Sequence, residues 1–360
     1  VDKGTEDLLK DLLENISGAK VLLIFTYRPE FIHTWAGKSY HSQITLNRLS
    51  NRECLAMVSH LLKTDDIDKN IEDLILEKTE GVPFFVEEFV RSLRDLKIIE
   101  KKKSGFYLSK DIEAMAIPST IHDVVMARVD SLPDGAKEVL KIGSAIEREF
   151  SYALIKHTTG LPEEELLKFL SILKDAEILY ERGIYPESTY VFKHALTREV
   201  VYDSILEKQK RKLHNNIGGT IEELYKDKID ENCAILAEHF IQSKDYEKGA
   251  EYFKLAARKA IKSASLNDAI SIGEKRIACL ESLQLAEEKE KELIDARTNL
   301  GLYYNQMIYN IKAYEAVAPI VELALKHNYE KRLSQIYTII GTYYFWNKGD
   351  CSSGLQYFDD

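Results

Sequence analysis

A short pattern that occurs twice in the last third of the chain restricts this region to packed helices. The letters Leu-Gly-Leu-Tyr-Tyr at 300–304 return as Ile-Gly-Thr-Tyr-Tyr at 340–344. At such positions a small residue lets two helices approach closely, and aromatic side chains fill the gaps between successive pairs. Only 7 prolines and 17 glycines occur in 360 residues, which favours long helices. We therefore predict that residues 229–360 fold as helical pairs.

Small and aromatic residues upstream of this pattern follow the spacing of tetratricopeptide (TPR) repeats. The matching positions are Ala237, Phe240, Tyr246, Gly249, Phe253 and Ala256. Gly249 stands where alanine is usual, and the next helix follows at a shortened interval. The prediction is therefore a TPR-like α-solenoid rather than a set of ideal repeats. Such arrays leave one face open, and we expect a protein partner to bind there.

The tyrosines of this region divide into two groups. Tyr304 and Tyr344 belong to the repeated pattern, so we expect them to pack between helices. Tyr309 and Tyr314 lie off the pattern, so we expect them on the open face. Tyrosine suits both roles because it combines a large contact area with a polar tip.

The composition excludes several classes of protein. With 45% hydrophobic and 30% charged residues the chain can form a core, and its net charge of −10 disfavours general binding to nucleic acid or to anionic membranes. No apolar run approaches the roughly 18 residues that a membrane-spanning helix needs. The 4 cysteines are scattered without a CxxC pair, which is typical of reduced thiols in the cytoplasm.

The first residues have the pattern of an α/β unit. A helix with one leucine-rich face precedes the continuous apolar run at 21–25, which predicts a strand buried on both faces of a parallel sheet. One strand cannot make a sheet, so we interpret the chain as an excerpt whose residues 1–48 are the C-terminal end of a nucleotide-binding core. Arg28 lies just past the strand, where open α/β sheets bind ligands, and Pro29 favours an extended backbone there. Its guanidinium could reach a terminal phosphate; the alternative is a solvated arginine at a strand end.

Residues 49–116 are predicted to form a helical lid. A capping box begins at Ser50. A second helix ends near Gly81, which suits a C-cap, and Pro83 opens a third. Apolar segments within 98–108 flank the turn Lys-Lys-Lys-Ser-Gly, which predicts a hairpin.

Residues 117–228 have the pattern of a winged helix, because several helices precede two short strand candidates at 178–180 and 190–192. A basic patch follows on the next helix, formed by Lys208, Lys210, Arg211, Lys212 and His214. We interpret the patch as a solvated face. DNA contact is not expected on an acidic chain of this kind.

Other candidate chemistry is sparse. Glu87 and Glu88 lie on a predicted helix, and we expect a pair that is half buried and half solvated. The 9 histidines include no HxxxH pair and no cysteine partner at metal-binding spacing, so no metal site and no catalytic residue are predicted.

Four segments in a fixed order carry a resemblance to a known family. They read VLLIFTYRPEF, LNRLSNRE, EGVPFFVEEFVRSL and VFKHALTREVVYDSIL, and Trp35 follows the first. Together they resemble the signal-transduction ATPases with numerous domains (STAND), which are relatives of the AAA+ ATPases. The ATPase-and-repeat region behind bacterial class III adenylate or guanylate cyclase domains is especially similar. LuxR-type regulators contain similar modules. The resemblance covers about residues 1–345.

The resemblance implies roles for four residues. In that family the arginine after the strand senses the terminal phosphate of ATP, which corresponds to Arg28. The Gly-x-Pro element packs near the base, which corresponds to Gly81 and Pro83; a helix–helix turn is the compatible alternative. A winged-helix histidine touches the nucleotide in the closed state, which corresponds to His194. The alternative for His194 is a packed or capping side chain.

The sequence departs from the family in one large respect. It contains no GxxxxGK[ST] phosphate loop, no acidic Mg²⁺-binding strand and no cyclase domain. We therefore expect ATP or ADP with Mg²⁺ to bind the parent protein, and neither to bind tightly to this chain alone.

The predicted fold is mainly α: the end of an α/β P-loop NTPase domain, a helical lid, a winged helix and the TPR-like array. The predicted function is regulatory, coupling nucleotide state and partner sensing to an output domain of the same polypeptide, a class III cyclase. The alternatives are a LuxR-type transcriptional regulator with repeats and a non-catalytic interaction scaffold.

Overall fold

The computed structural model describes residues 3–16, 18–28, 31–32, 41–102, 105–109, 120–283 and 286–359. Most of these residues are helical, which confirms the mainly α fold. The chain forms two compact units, one of residues 42–210 and one that combines residues 1–41 with 211–360. In the described part of the chain no helix is both long and apolar enough to cross a membrane. The domain boundaries derived from the sequence remain predictions.

The N-terminal segment differs from its sequence pattern. Helix α1 covers Lys3–Asn15, but residues 20–28 have no regular secondary structure, and the side chain of Leu22 is 83% exposed. The predicted buried strand at 21–25 is therefore wrong for this chain. A strand must pair its backbone N–H and C=O groups with neighbouring strands, and the described residues provide none beside it. Pro29 and Trp35 lie outside the described residues.

Residues 42–109 form three helices and a hairpin. Ser50 and Glu53 complete the predicted capping box at the start of α2. The bounds are α2 Asn51–Leu62, α3 Lys69–Thr79, α4 Pro83–Asp95, β1 Ile99–Lys102 and β2 Gly105–Leu108. The two strands pair antiparallel, with Ile99 opposite Leu108, which confirms the predicted hairpin. Val58, Ile71, Ile75 and Phe89 form the centre of the core.

Residues 120–203 combine five helices with a small sheet. The bounds are α5 Ile121–Asp130, α6 Asp134–Ile146, β3 Glu149–Ser151, α7 Tyr152–Thr159, α8 Glu163–Asp175, β4 Leu179–Arg182, β5 Thr189–Phe192 and α9 Ala195–Asp203. The sheet order is β3-β5-β4 and both pairings are antiparallel. The sequence predicts β4 and β5; it misses β3, which is only 3 residues long. Phe150, Tyr190 and Phe192 pack on the inner face of this sheet.

The C-terminal region consists of helices that pack against their neighbours in the chain. The bounds are α10 Glu207–Leu224, α11 Ile229–Ser243, α12 Tyr246–Lys262, α13 Leu266–Glu281, α14 Glu287–Gln306, α15 Asn310–Val317, α16 Val321–Lys326, α17 Glu330–Tyr343 and α18 Cys351–Asp359. A methyl group on Gly301 would lie 2.6 Å from Val317, and one on Gly341 would lie 2.7 Å from Phe358. Both repeated glycines therefore permit close helix contacts, as the sequence pattern predicts.

The tyrosines follow the prediction at three of four positions. Tyr304 is buried, and Tyr344 stacks on Tyr357 with ring centroids 5.6 Å apart. Tyr309 is 48% exposed, as expected of the open face. Tyr314 is half buried instead, because its ring stacks on that of Tyr343 at 4.4 Å. The prediction of an open-face role for Tyr314 is therefore wrong.

Candidate functional site

The Gly-x-Pro element turns the chain sharply between α3 and α4. Gly81 has a φ of +71°, and its carbonyl oxygen accepts a 2.8 Å hydrogen bond from the N–H of Leu49. A Cβ atom here would lie 2.2 Å from the Leu49 oxygen, so only glycine fits. Pro83 then occupies the first turn of α4, where its missing N–H costs nothing.

Helix α4 presents a line of polar side chains to the segment that precedes α9. Glu87 accepts hydrogen bonds from Lys193 Nζ at 2.6 Å and from Arg91 Nη2 at 2.9 Å. Glu177 accepts from the same two cations, at 2.9 Å from Lys193 and 2.6 Å from Arg91. The four side chains form a closed ring of alternating charge, which we call the charge ring.

The charge ring stabilises the ionised form of each member. Hydrogen bonds from Lys193 and Arg91 lower the pKa of Glu177 to about 2. Burial alone would raise the pKa of Glu87, but the bond and charge of Lys193, together with Arg91, bring it below its ordinary value. Burial opposes the charged forms of Arg91 and Lys193, yet the neighbouring carboxylates raise the pKa of both. All four groups are therefore charged at neutral pH.

A second ion pair lies beside the ring and is more deeply buried. The carboxylate of Glu88, 1% exposed, bonds to the guanidinium of Arg128, 7% exposed. Arg128 Nη2 also donates to the carbonyl oxygen of Ala176 at 2.5 Å. Among the described residues the second carboxylate oxygen of Glu88 has no hydrogen-bond partner. This pair fastens α4 to α5 and to the end of α8.

His194 packs at the edge of the same cluster. Its ring lies 4.2 Å from that of Phe84, and its Nε2 is 3.8 Å from a carboxylate oxygen of Glu87. Nε2 is buried and has no hydrogen-bond partner within the described ranges. Burial lowers the pKa of His194, although Glu88 and Glu87 partly oppose this. The imidazole is thus neutral at pH 7, and its side chain does not cap α9.

The structure brings three of the four predicted site residues into one unit. Gly81 and Pro83 set the start of the helix whose side chains contact His194. Arg28 belongs to the other compact unit, where it lies exposed on an irregular segment and its carbonyl accepts from the N–H of Phe31 at 3.0 Å.

Sequence reasoning misses most of the charged cluster. The expectation of a half-buried, half-solvated pair is wrong for Glu88, which is buried in its ion pair with Arg128, whereas Glu87 is half buried in its ion pair with Lys193. The one local signal is the i,i+4 spacing of Glu87 and Arg91 on α4. Glu177, Lys193 and Arg128 come from distant parts of the chain, and no sequence pattern marks them.

The cluster does not fit a nucleotide phosphate as it stands. His194 Nε2 is covered by Phe84 and lies near two carboxylates, which repel an anion. The two cations of the ring are already paired. In the part of the chain that the structure describes, no group of His, Cys, Asp or Glu side chains could hold a metal ion. The arrangement is suited to holding elements together.

Comparison with known proteins yields distant matches. No protein-family model matches the sequence. An uncharacterized protein of Rhizobium meliloti (strain 1021) is 20% identical over 315 residues, which cover 84% of this chain and 29% of that protein. The crystal structure of a STAND protein with a tetratricopeptide repeat sensor from Pyrococcus horikoshii aligns with a TM-score of 0.38 and 14% identity, over 86% of this chain and 46% of that chain. The chain thus spans less than half the length of either match.

Proposed function

We propose that this chain is a regulatory segment of a STAND-type signal-transduction ATPase. In this proposal the unit of residues 42–210 transmits the nucleotide state of the parent protein, and the helical array senses a protein partner. The observation that carries the proposal is the charge ring. It ties the helix that begins at Pro83 to Lys193 directly, through the bond from Lys193 to Glu87, and indirectly, because Arg91 and Lys193 both bond to Glu177.

The charge ring gives the proposed coupling a physical basis. The family resemblance assigns the Gly-x-Pro element to the base and the histidine to the nucleotide in the closed state. Since α4 and the segment before α9 share the ring, a displacement of one without the other would separate opposite charges that are partly buried. Such separation is costly when the charges lose their partners inside the protein. The two elements are therefore expected to move as one body.

The order of elements supports a winged-helix role for residues 134–192. Helix α6 is followed by β3, then by α7 and α8, then by the β4–β5 hairpin whose turn would be the wing. The Lys193-His194 segment comes directly after β5, so the proposed wing hairpin leads straight into the charge ring.

The remaining parts of the proposal concern the parent protein. Arg28 would sense the terminal phosphate of ATP bound with Mg²⁺, and the output domain would be a class III adenylate or guanylate cyclase in the cytoplasm. Two alternatives for the parent protein are a LuxR-type transcriptional regulator with repeats and an interaction scaffold that does not bind nucleotide. The full reading frame would distinguish them. A cyclase domain before the phosphate loop supports the cyclase output, a helix-turn-helix at the far C-terminus supports the LuxR-type regulator, and a degenerate phosphate loop supports the scaffold.

The direct test uses the full-length protein and measures nucleotide affinity and basal output. Arg28→Ala should weaken ATP binding or hydrolysis roughly 10- to 150-fold, since a charge-assisted hydrogen bond contributes about 1.5–3 kcal/mol. His194→Ala and Lys193→Met should shift the balance of nucleotide-bound states and alter basal output. His157→Ala and Lys137→Met are the matched controls, because both lie outside the cluster. The proposal would be refuted if Arg28→Ala, His194→Ala and Lys193→Met all kept the nucleotide affinity and basal output of the wild type.

A further inference from the structure

A small cavity opens between four helices of the array. Its volume is about 100 Å³. The charged side chains that line it are Lys254 and Arg258 from α12, Arg276 from α13, Asp295 from α14 and Arg332 from α17. Four cations therefore face a single carboxylate. This imbalance is unexpected on a chain whose net charge is −10.

The one carboxylate that lines the cavity, that of Asp295, already accepts two hydrogen bonds. Asp295 accepts from Arg332 Nε at 2.6 Å and from the hydroxyl of Tyr329 at 3.1 Å. Arg332 also donates to the side-chain oxygen of Asn299 at 3.1 Å. Arg332 is thus neutralised within the protein.

The other three cations have no such partner. Within the described ranges of the chain, Lys254, Arg258 and Arg276 form no ion pair. The charges of Glu292 and then of Asp295 partly compensate Arg276 without an ion pair, and Glu292 already bonds to Lys289 at 3.3 Å. The cavity consequently holds an excess of positive charge.

Arg276 is the most deeply buried cation of the cavity. Its side chain is 5% exposed, and its Nε is buried without a hydrogen-bond partner in the described part of the structure. Burial lowers the pKa of this guanidinium; the charges of Glu292 and Asp295 oppose this, and that of Arg258 adds to it. An unpaired buried charge costs several kcal/mol, and proteins normally pair such groups or bind a counter-ion.

We propose that this cavity binds the phosphate group of a small phosphorylated ligand. A phosphate dianion matches the three cations that form no ion pair within the described residues better than a single carboxylate does. Arginine is the side chain that best recognises phosphate oxygens, because its planar fork donates two parallel hydrogen bonds. Tyr303 and Asn299 also line the cavity and can donate to the remaining oxygens.

The volume of the cavity limits the ligand. Pockets that enclose drug-sized molecules measure about 300–1,000 Å³, so this one holds a headgroup while the rest of the ligand stays outside. The array would then carry a site for a small anion in addition to its open face for a protein. This inference does not depend on the ATPase-type regulation proposed above, because none of its residues belongs to that site.

The test is calorimetric titration of the chain with inorganic phosphate and with glycerol 3-phosphate, in a phosphate-free buffer at constant ionic strength set by chloride. Both probes should bind, and a hundredfold excess over Kd should raise Tm by about 5 °C. Arg276→Met should weaken binding about 10- to 100-fold. Succinate should bind far more weakly; binding of succinate but not of phosphate would overturn the assignment.

Two further variants keep the test decisive. Without phosphate, Arg276→Met should melt at or above the wild-type temperature, since it removes an unpaired buried charge. If this variant fails to fold, Arg258→Gln provides the same test from an exposed position on the cavity. Lys275→Met is the matched control, because Lys275 is exposed on α13 and pairs with Glu238 at 2.5 Å outside the cavity. Wild-type phosphate binding in both cavity variants, or no binding by the wild type, would overturn the proposal.

Discussion

His214 on α10 and His239 on α11 face each other inside the helical array, with their Nδ1 atoms 2.8 Å apart. Both side chains are buried. One ring must donate and the other accept, so the contact holds a single proton. His214 also shows that the basic patch at 208–214 is not uniformly solvated, although Arg211 and Lys212 are exposed as predicted.

The histidine pair makes stability depend on pH below neutrality. Burial, and then the charge of His214, lower the pKa of His239 from 6.5 to about 3. The unfolded chain takes up this proton near pH 6.5, so the stabilisation is complete above that pH and is lost as pH falls towards 3. At pH 5 the loss is about 2 kcal/mol. We expect His239→Gln to lose less stability than the wild type between pH 7 and pH 5, as measured by urea unfolding.

His157→Gln is the control for this measurement, because His157 is exposed on α7. It should follow the wild-type pH profile. Equal losses for His239→Gln and the wild type would show that His239 does not titrate on unfolding in this range.

The buried ion pair of Glu88 and Arg128 is a second contact between individual residues, and it affects stability differently from the histidine pair. Replacement of a buried ion pair by apolar residues is often neutral, whereas removal of one partner alone costs about 3–5 kcal/mol. The pair therefore specifies which surfaces of α4 and α5 meet more than it adds to net stability.

At the scale of elements, the turn at Gly81 determines how α4 enters the cluster. Gly81→Ala would place a methyl group 2.2 Å from the Leu49 oxygen in a left-handed backbone conformation. The substitution combines backbone strain of about 1–2 kcal/mol with loss of the Leu49 hydrogen bond, worth about 1 kcal/mol. We expect urea unfolding to show a loss of about 2–4 kcal/mol.

Gly160→Ala separates the two contributions. Gly160 has a φ of +63° at the end of α7, but a methyl group there would meet nothing within 4 Å. Its substitution should cost only about 1 kcal/mol, from backbone strain alone. If both substitutions cost the same, the close approach of Leu49 contributes nothing to the turn.

At the scale of the whole molecule, the two compact units carry the two proposed sites separately. The charge ring lies entirely in residues 42–210, and the phosphate cavity lies entirely in the array. Loss of one site is therefore expected to leave the other unit folded.

The motif content predicts that this chain alone neither hydrolyses ATP nor produces cyclic nucleotide. Both reactions require a phosphate-binding loop or a cyclase domain that the sequence does not contain. The measurement is phosphate release and cyclic-nucleotide production by the purified 360-residue chain. Turnover that Arg28→Ala abolishes would contradict this prediction, while turnover unaffected by it indicates a contaminant.

Local patterns in the sequence predict the mainly helical fold, several helix ends and the two hairpins. The capping box at Ser50, the proline start of α4 and the glycines at 301 and 341 depend on residues near in the chain or on one small side chain. The failed strand at 21–25 illustrates the limit, because a buried strand requires partners that its own residues cannot supply. The contrast between Tyr309 and Tyr314 likewise depends on where Tyr343 lies.

Only the tertiary structure decided the functional clusters. Arg91 and Glu177 are 86 positions apart in the chain, and Lys193 and Glu87 are 106 apart. The four cations of the cavity come from three different helices. Helices and tight hairpins follow from backbone hydrogen bonds between near residues, whereas the partner of a charged side chain follows from which helix faces pack together. That packing depends on the whole set of apolar contacts, which no single segment of the sequence contains.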